Sequence, residues 1–268
     1  MAYDDEELAL LGHLNLMEFC RESARWSGGR GAIEEADGVL MFATGTTFPA
    51  LSQGALRMDH QVSGHGLVER ADEWFRERRR GYTVWARDLG GIDDDIMEAA
   101  ESAGFTTLGS APEMVCRTRL ADKPVGNDVE LRWATDESGV ADFVAVNADA
   151  YSTYGMPREV VGDTIVDPKR VLVPHINTVV AYVENEPVAA AQTLLSHAIA
   201  GVYWVGTVES ARGRGLGEAV TRAVTNRAFD LGAQATTLQA SPMGEPIYAR
   251  MGYETVFRHR TFVRFSPP

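Results

Sequence analysis

Three glycines and two arginines crowd the six residues Arg212-Gly213-Arg214-Gly215-Leu216-Gly217, just ahead of a segment with helical periodicity. A glycine-rich turn entering a helix presents unpaired backbone N–H groups at the positive end of the helix dipole, an anion site that in nucleotides most often takes a pyrophosphate. Arg212 and Arg214 can add charge-assisted bonds to the same anion. Two designs fail here on residue identity. A P-loop needs Gly-Lys-Ser/Thr at its end, and after Gly217 the chain reads Glu218-Ala219-Val220, with no lysine and no metal-binding hydroxyl. A dinucleotide-binding G-x-G-x-x-G, counted from Gly213 and Gly215, meets Glu218 where its third glycine belongs.

Composition narrows the setting of that turn. The 268 residues, 45% hydrophobic and 24% charged, suffice for one large domain or two of about 130 residues with ordinary cores. A net charge of −13 opposes nucleic acid, and Arg76 to Arg80 read as a solvated helix end, where arginine is favoured. The start, "MAYDDEELALLGHLNLMEF", is acidic and amphipathic, and nowhere do ~18 uncharged apolar residues run together, so no membrane contact and a cytoplasmic location are expected. Cys20 and Cys116 lack C-x-x-C spacing and read as buried thiols. The six histidines show no ligand spacing, so no metal is expected.

The elements that must hold the turn occur twice. Gly64-His65-Gly66-Leu67-Val68-Glu69 falls on Gly213-Arg214-Gly215-Leu216-Gly217-Glu218 at an offset of 149. An apolar helix face follows each turn: Leu67, Ala71, Trp74 and Phe75 before Gly81, and Leu216, Val220, Ala223, Val224 and Leu231 before Gly232. Each is followed by a short strand ("YTVWA", "ATTLQA"), a second helix (Ile92 to Ala103, Pro246 to Met251) and a Gly-aromatic pair leading into a final strand. The repetition points to two similar α/β domains, residues 1–120 and 129–268, joined by the polar Pro/Gly linker 121–128.

With strand Ala200 to Val208 before it, the turn Arg212 to Gly217 has the form R-x-x-G-x-G, and "YARMGYE" (Tyr248 to Glu254) has the form Y-x-x-x-G-F/Y. In these motifs, and in its order of elements from residue 129 to 268, the C-terminal half resembles the GNAT superfamily of N-acetyltransferases. The resemblance implies a mixed, mostly antiparallel sheet flanked by helices, in tandem copies. It implies acetyl-CoA as acyl donor and a primary amine, of a small molecule or a peptide, as acceptor.

By that resemblance the pyrophosphate lies on Arg212, Gly213, Arg214, Gly215, Leu216 and Gly217, and a backbone N–H at Thr207 or Val208, near an irregularity in strand pairing, receives the oxyanion. Tyr248 stands where a phenol returns a proton to the leaving thiolate. Glu209 is the one candidate base for the amine. Ser241 stands where many members carry Asn and can still reach the pantetheine arm. Tyr151, Tyr154 and Met156 either contact the acceptor or simply pack. In the first half Val68 replaces Gly217, Ser63 replaces Arg212 and Ala100 replaces Tyr248. Each change removes a function, so residues 1–120 read as a degenerate domain that no longer binds coenzyme A. A non-catalytic acyl-CoA sensor or scaffold and a nucleotide-binding protein stay open as alternatives, as does the choice between monomer and homodimer.

Overall fold

The computed structural model describes residues 3–268. The first half runs α1 (Asp5–Trp26), β1 (Ala32–Ala36), β2 (Val39–Ala43), β3 (Gln53–Arg57), α2 (Gly64–Arg78), β4 (Tyr82–Asp88), α3 (Asp94–Ser102) and β5 (Thr106–Cys116). Residues 117–128 form neither helix nor strand. Then come β6 (Val129–Trp133), α4 (Glu137–Ser152), α5 (Glu159–Thr164), β7 (Ile176–Val183), β8 (Glu186–Ser196) and β9 (Ile199–Thr207). The chain closes with α6 (Leu216–Asp230), β10 (Thr236–Gln239), α7 (Glu245–Met251) and β11 (Glu254–Arg264). Apart from β6 and the splitting of the opening helix into α4 and α5, the second half repeats the element order of the first.

All eleven strands join in one sheet, ordered β1-β2-β3-β4-β11-β5-β10-β9-β8-β7-β6. Only β3/β4 and β9/β10 run parallel, and the crossovers between them are α2 and α6. The two rhyming turns therefore open equivalent β–α–β units. The sequence gives each half a closing strand of its own; the structure exchanges the two. β11 lies between β4 and β5, and β5 lies between β11 and β10.

Helices α2, α3, α6 and α7 cover one face of the sheet, over one core in each half. On the opposite face α1, α4 and α5 share a single core drawn from both halves, with Leu16, Trp26, Phe42 and Trp85 beside Phe143, Val180 and Tyr203. Covered on both sides, β2 and β3 are buried at every residue instead of alternating. Local signals set the helix starts. Asp4 accepts from the Glu7 N–H while the Glu7 carboxylate accepts from the Asp4 N–H, a capping box for α1, and Ser63 caps α2 at Gly66. The end of α2 differs from expectation: Arg79, at φ 53°, closes it, not Gly81. Gly81 is needed for close approach, because a Cβ there would lie 2.1 Å from the Arg264 carbonyl oxygen. Among the described residues no helix is long and apolar enough to cross a membrane.

Candidate active site

The parallel pair β9/β10 is held only at Ala200–Thr236 and Gly201–Thr237, after which the strands part. On its other side β9 follows β8 through an irregularity: between Ala190–Gly206 and Gln192–Tyr203 it carries one extra residue, with Trp204 at φ 52°. Beyond this bulge the Val208 N–H donates to the Val188 carbonyl at 3.0 Å, which removes Val208 from the two oxyanion donors expected. Successive N–H groups alternate in direction, so that of Thr207 faces the opposite edge, into the gap left by β10.

A 3₁₀ turn, Glu209–Ala211, then leads into the glycine turn. Gly213 and Gly215 hold φ values of +79° and +74°, conformations that a side chain disfavours. Gly215 is the N-cap of α6 and no side chain caps the helix, so its first N–H groups stay open. These groups open on a cleft of about 430 Å³ lined by Thr207, Arg212, Leu216, Gly217, Ser241 and Tyr248, among others. A Cβ at Gly217 would touch the Thr207 hydroxyl at 3.4 Å, so a larger side chain would enter the cleft between them.

Tyr248 reaches the cleft because α7 begins on a bare residue. A Cβ at Gly244 would sit 2.7 Å from the Tyr248 ring, and the Ser241 hydroxyl fixes the preceding turn by accepting the Gly244 N–H at 3.1 Å. Burial pushes the phenol up to about 12, with the Thr221 hydroxyl pulling it down, so it is fully protonated at neutral pH. Arg212 is neither free in solvent nor aimed only at the turn. Its guanidinium donates to the Thr153 hydroxyl at 2.7 Å and to the Ala150 carbonyl at 3.5 Å, tying the end of α4 to the turn.

Other expected residues lie elsewhere. Arg214 pairs with Asp128 at 2.5 Å on the surface, outside the cleft. Glu209 is exposed and is not among the residues that line the cleft. Of the aromatic cluster, only Tyr154 lines the cleft. Tyr151 packs edge-on to Trp204 at 5.2 Å, and Met156 packs against the shared core. The cleft also includes Met243, Ile247 and Arg250, which the sequence reading did not single out. Arg250 gave no local signal, because two positions along a helix lie on nearly opposite faces and Tyr248 therefore does not announce it. Glu218 lines the cleft too, its carboxyl held low by hydrogen bonds from Arg222 and then Lys123.

The equivalent place in the first half is filled. Arg57, at the position of Gly206 by the offset of 149, is buried beside Asp93 at 3.3 Å and pairs with Asp95. Asp93 also takes Arg87 at 2.8 Å. The amino end of α2, open in its counterpart α6, is closed by the Asp95 carboxylate, which accepts the Gly64 N–H at 2.6 Å. Burial raises both carboxyls, but hydrogen bonds from Arg87 to Asp93 and from Arg57 to Asp95 overcome it and hold both low. Val68 and Ala100 are buried in the core beneath α2 and α3.

A mixed sheet whose parallel strands part at a glycine turn, with an uncapped helix behind it, is the fold of the acyl-CoA N-acyltransferases. Comparison with known proteins agrees. Residues 159–264 match the acetyltransferase (GNAT) domain family. A GCN5-related N-acetyltransferase from Kribbella flavida superposes with a TM-score of 0.67 at 18% identity, covering 94% of this chain and 96% of the other. A tandem GNAT protein from the clavulanic acid biosynthesis pathway gives 0.61 at 13%, covering 100% and 98%. A GCN5-related N-acetyltransferase from Sphaerobacter thermophilus gives 0.60 at 14%, covering 86% and 78%. No curated protein matches the chain. Residues 159–264 thus match a GNAT acetyltransferase domain, and the chain as a whole shares the fold of these structures.

Proposed function

We propose that the chain is an acetyl-CoA-dependent N-acetyltransferase that moves an acyl group from coenzyme A directly to a primary amine of a small molecule or a peptide. The observation that carries this reading is the uncapped amino end of α6 opening on the same cleft that Tyr248 lines. When bound, acetyl-CoA supplies a thioester; the chain supplies the surroundings. The N–H groups after Gly215 and the guanidinium of Arg212 hold the pyrophosphate, with Arg250 at the cleft wall as a further cation. The Thr207 N–H stabilises charge developing on the carbonyl oxygen. Tyr248 donates a hydrogen bond to the departing sulfur.

No carboxylate in the cleft is free to take the amine proton, since Glu218 is held by Lys123 and Arg222. An alkyl ammonium of pKa ~10.4 is neutral to only a few parts in ten thousand at pH 7, a cost of roughly 4 to 5 kcal/mol. Its proton therefore leaves through water. The missing base is also the observation that favours the second reading, a sensor that binds acyl-CoA without turning it over.

Residues 129–268 form the working domain in this reading, and residues 1–120 a degenerate one whose slot the Arg57–Asp93–Asp95 cluster has filled. Calorimetric titration with acetyl-CoA tests both halves at once. The expected result is one site per chain, lost in Gly217→Val. Two sites would overturn the degenerate reading of the first half, and no binding would overturn the enzyme.

A further inference from the structure

The cleft reaches both faces of the sheet. Gly217 and Tyr248 line it on the side of α6, Ala150 and Tyr154 on the side of α4. A donor seated on the glycine turn leaves the α4 side for the acceptor, and the wall there is bare. Gly206 cannot carry a side chain, since a Cβ would lie 2.6 Å from the Oδ1 of the buried Asn147, and its neighbour Ala150 ends at a methyl. Two large apolar side chains at the cleft keep more than half their surface in water: Tyr154, 56% exposed, and Met243, 54% exposed. They come from opposite strands of the gap. Met243 belongs to the loop after β10. Tyr154 follows α4 and is tied to the end of β9 through Arg212, which donates to the Thr153 hydroxyl at 2.7 Å and to the Thr207 carbonyl at 3.4 Å. Behind it the Tyr151 ring lies 6.1 Å away, itself packed on Trp204. Exposed apolar surface gathered at a concave site marks a ligand contact.

Charge narrows the ligand. Glu218 is the one carboxylate among the residues lining the cleft, and Lys123 and Arg222 already hold it, whereas Arg212 and Arg250 line the cleft as cations. A polyamine or a basic peptide would bring a second positive charge to a site with no free anion. Resting on the acetyltransferase reading, we propose that the acceptor is a primary amine carried on a short arm by an aromatic ring, and that the ring sits between Tyr154 and Met243. A phenol ring and a thioether both favour aromatic partners, the first edge-on or offset, the second at the ring edge. Held by its apolar body, the amine enters surroundings that disfavour its charged form, which eases loss of the ammonium proton where no carboxylate stands to take it. The nitrogen then bonds the acyl carbon as the C–S bond breaks; of the two protons the ammonium gives up, one ends on the sulfur and one in water.

The test measures thiol release by the full chain at saturating acetyl-CoA with 2-phenylethylamine, 2-cyclohexylethylamine and 1,5-diaminopentane, and by calorimetry the binding of 2-phenylethylamine to protein saturated with coenzyme A. The expected kcat/KM falls in that order, by about threefold at the first step and at least about tenfold over the series. Tyr154→Ala is expected to raise KM for 2-phenylethylamine about tenfold and to remove its advantage over the cyclohexyl compound, with acetyl-CoA affinity kept within about threefold. Tyr154→Phe, which keeps the ring, is expected to retain that advantage. The proposal is overturned if 1,5-diaminopentane is the best acceptor, if the two ring compounds react equally, or if the preference survives Tyr154→Ala. A larger loss of acetyl-CoA affinity in Tyr154→Ala assigns the residue to the donor and overturns it as well. Turnover of none of the three amines, with binding of 2-phenylethylamine that Tyr154→Ala abolishes, overturns the acetyltransferase reading and leaves the aromatic site standing. Without turnover, an absence of binding or binding unchanged in Tyr154→Ala overturns both.

Discussion

Replacing Tyr248 by Phe removes one oxygen from the cleft and leaves the ring packed over Gly244. The phenol, pushed up to about 12 by burial, faces a leaving thiol of ~8.5. Complete transfer of its proton is uphill by about 3.5 pH units, or roughly 5 kcal/mol. The residue therefore helps by hydrogen-bonding the departing sulfur, with water completing the protonation. A hydrogen bond to a charged group contributes about 1.5 to 3 kcal/mol, which sets the expected loss in kcat at about 10- to 150-fold, below the upper range of full general acids. The neutral thioester sulfur accepts weakly, so the affinity for acetyl-CoA is expected to stay within about threefold. Thiol release at saturating acetyl-CoA, with the best amine from a panel, measures the first quantity and calorimetry the second. Because the phenol stays protonated to above pH ~10, the pH–rate profiles of the two proteins are expected to run parallel up to that point. An unchanged kcat, a tenfold loss of acetyl-CoA affinity, or a fall in rate above pH ~9 that Tyr248→Phe abolishes would each refute the reasoning.

Two further outcomes concern the first half and the sheet. Arg57→Ala strips the buried Asp93 and its neighbour Asp95 of a shared cation and is expected to cost about 3 to 5 kcal/mol in urea unfolding at pH 7, as for other broken buried pairs. Both carboxyls have folded-state pKa values below the ordinary one, so their contribution is present above pH ~4 and is lost as pH falls through the lowered values; the gap between the two proteins should narrow on acidification. A loss under 1 kcal/mol, or one independent of pH, would contradict the buried cluster. Residues 121–268 expressed alone lack β5, leaving β10 and β11 without a shared neighbour. They are expected to show no cooperative melt by circular dichroism until co-expressed with residues 1–120. A folded, acetyl-CoA-binding fragment would show that the exchanged strand is dispensable.

Much of the site was legible because its signals are local. Glycines at 213 and 215 mark backbone angles that other residues avoid, and a glycine run ahead of an apolar helix stripe announces an uncapped helix end whatever surrounds it. The same holds for Tyr248, four residues before the Gly252 that terminates its helix at φ +104°. Glu209 and Arg214 were misplaced for the opposite reason. Their distance from the turn along the chain is short, but whether a side chain enters the cleft or faces solvent depends on how the 3₁₀ turn and β6 pack, which neighbouring residues do not encode.

By itself, then, the sequence determined the two β–α–β units, their glycine turns and the residue differences between the two copies, since each follows from residue type and spacing within a few turns of chain. Only the tertiary structure decided which closing strand joined which half, because β5 and β11 carry similar patterns and either can complete either sheet by the same backbone hydrogen bonds. It also decided the bulge at Trp204, where a large residue takes a left-handed conformation that its type disfavours. The pairing of Arg57 with Asp93 and Asp95 across more than 35 residues and the aim of Asn147 at Gly206 across 59 belong to the same class. These contacts are set by the packing of a helix and a sheet formed far apart in the chain, and no local pattern announces them.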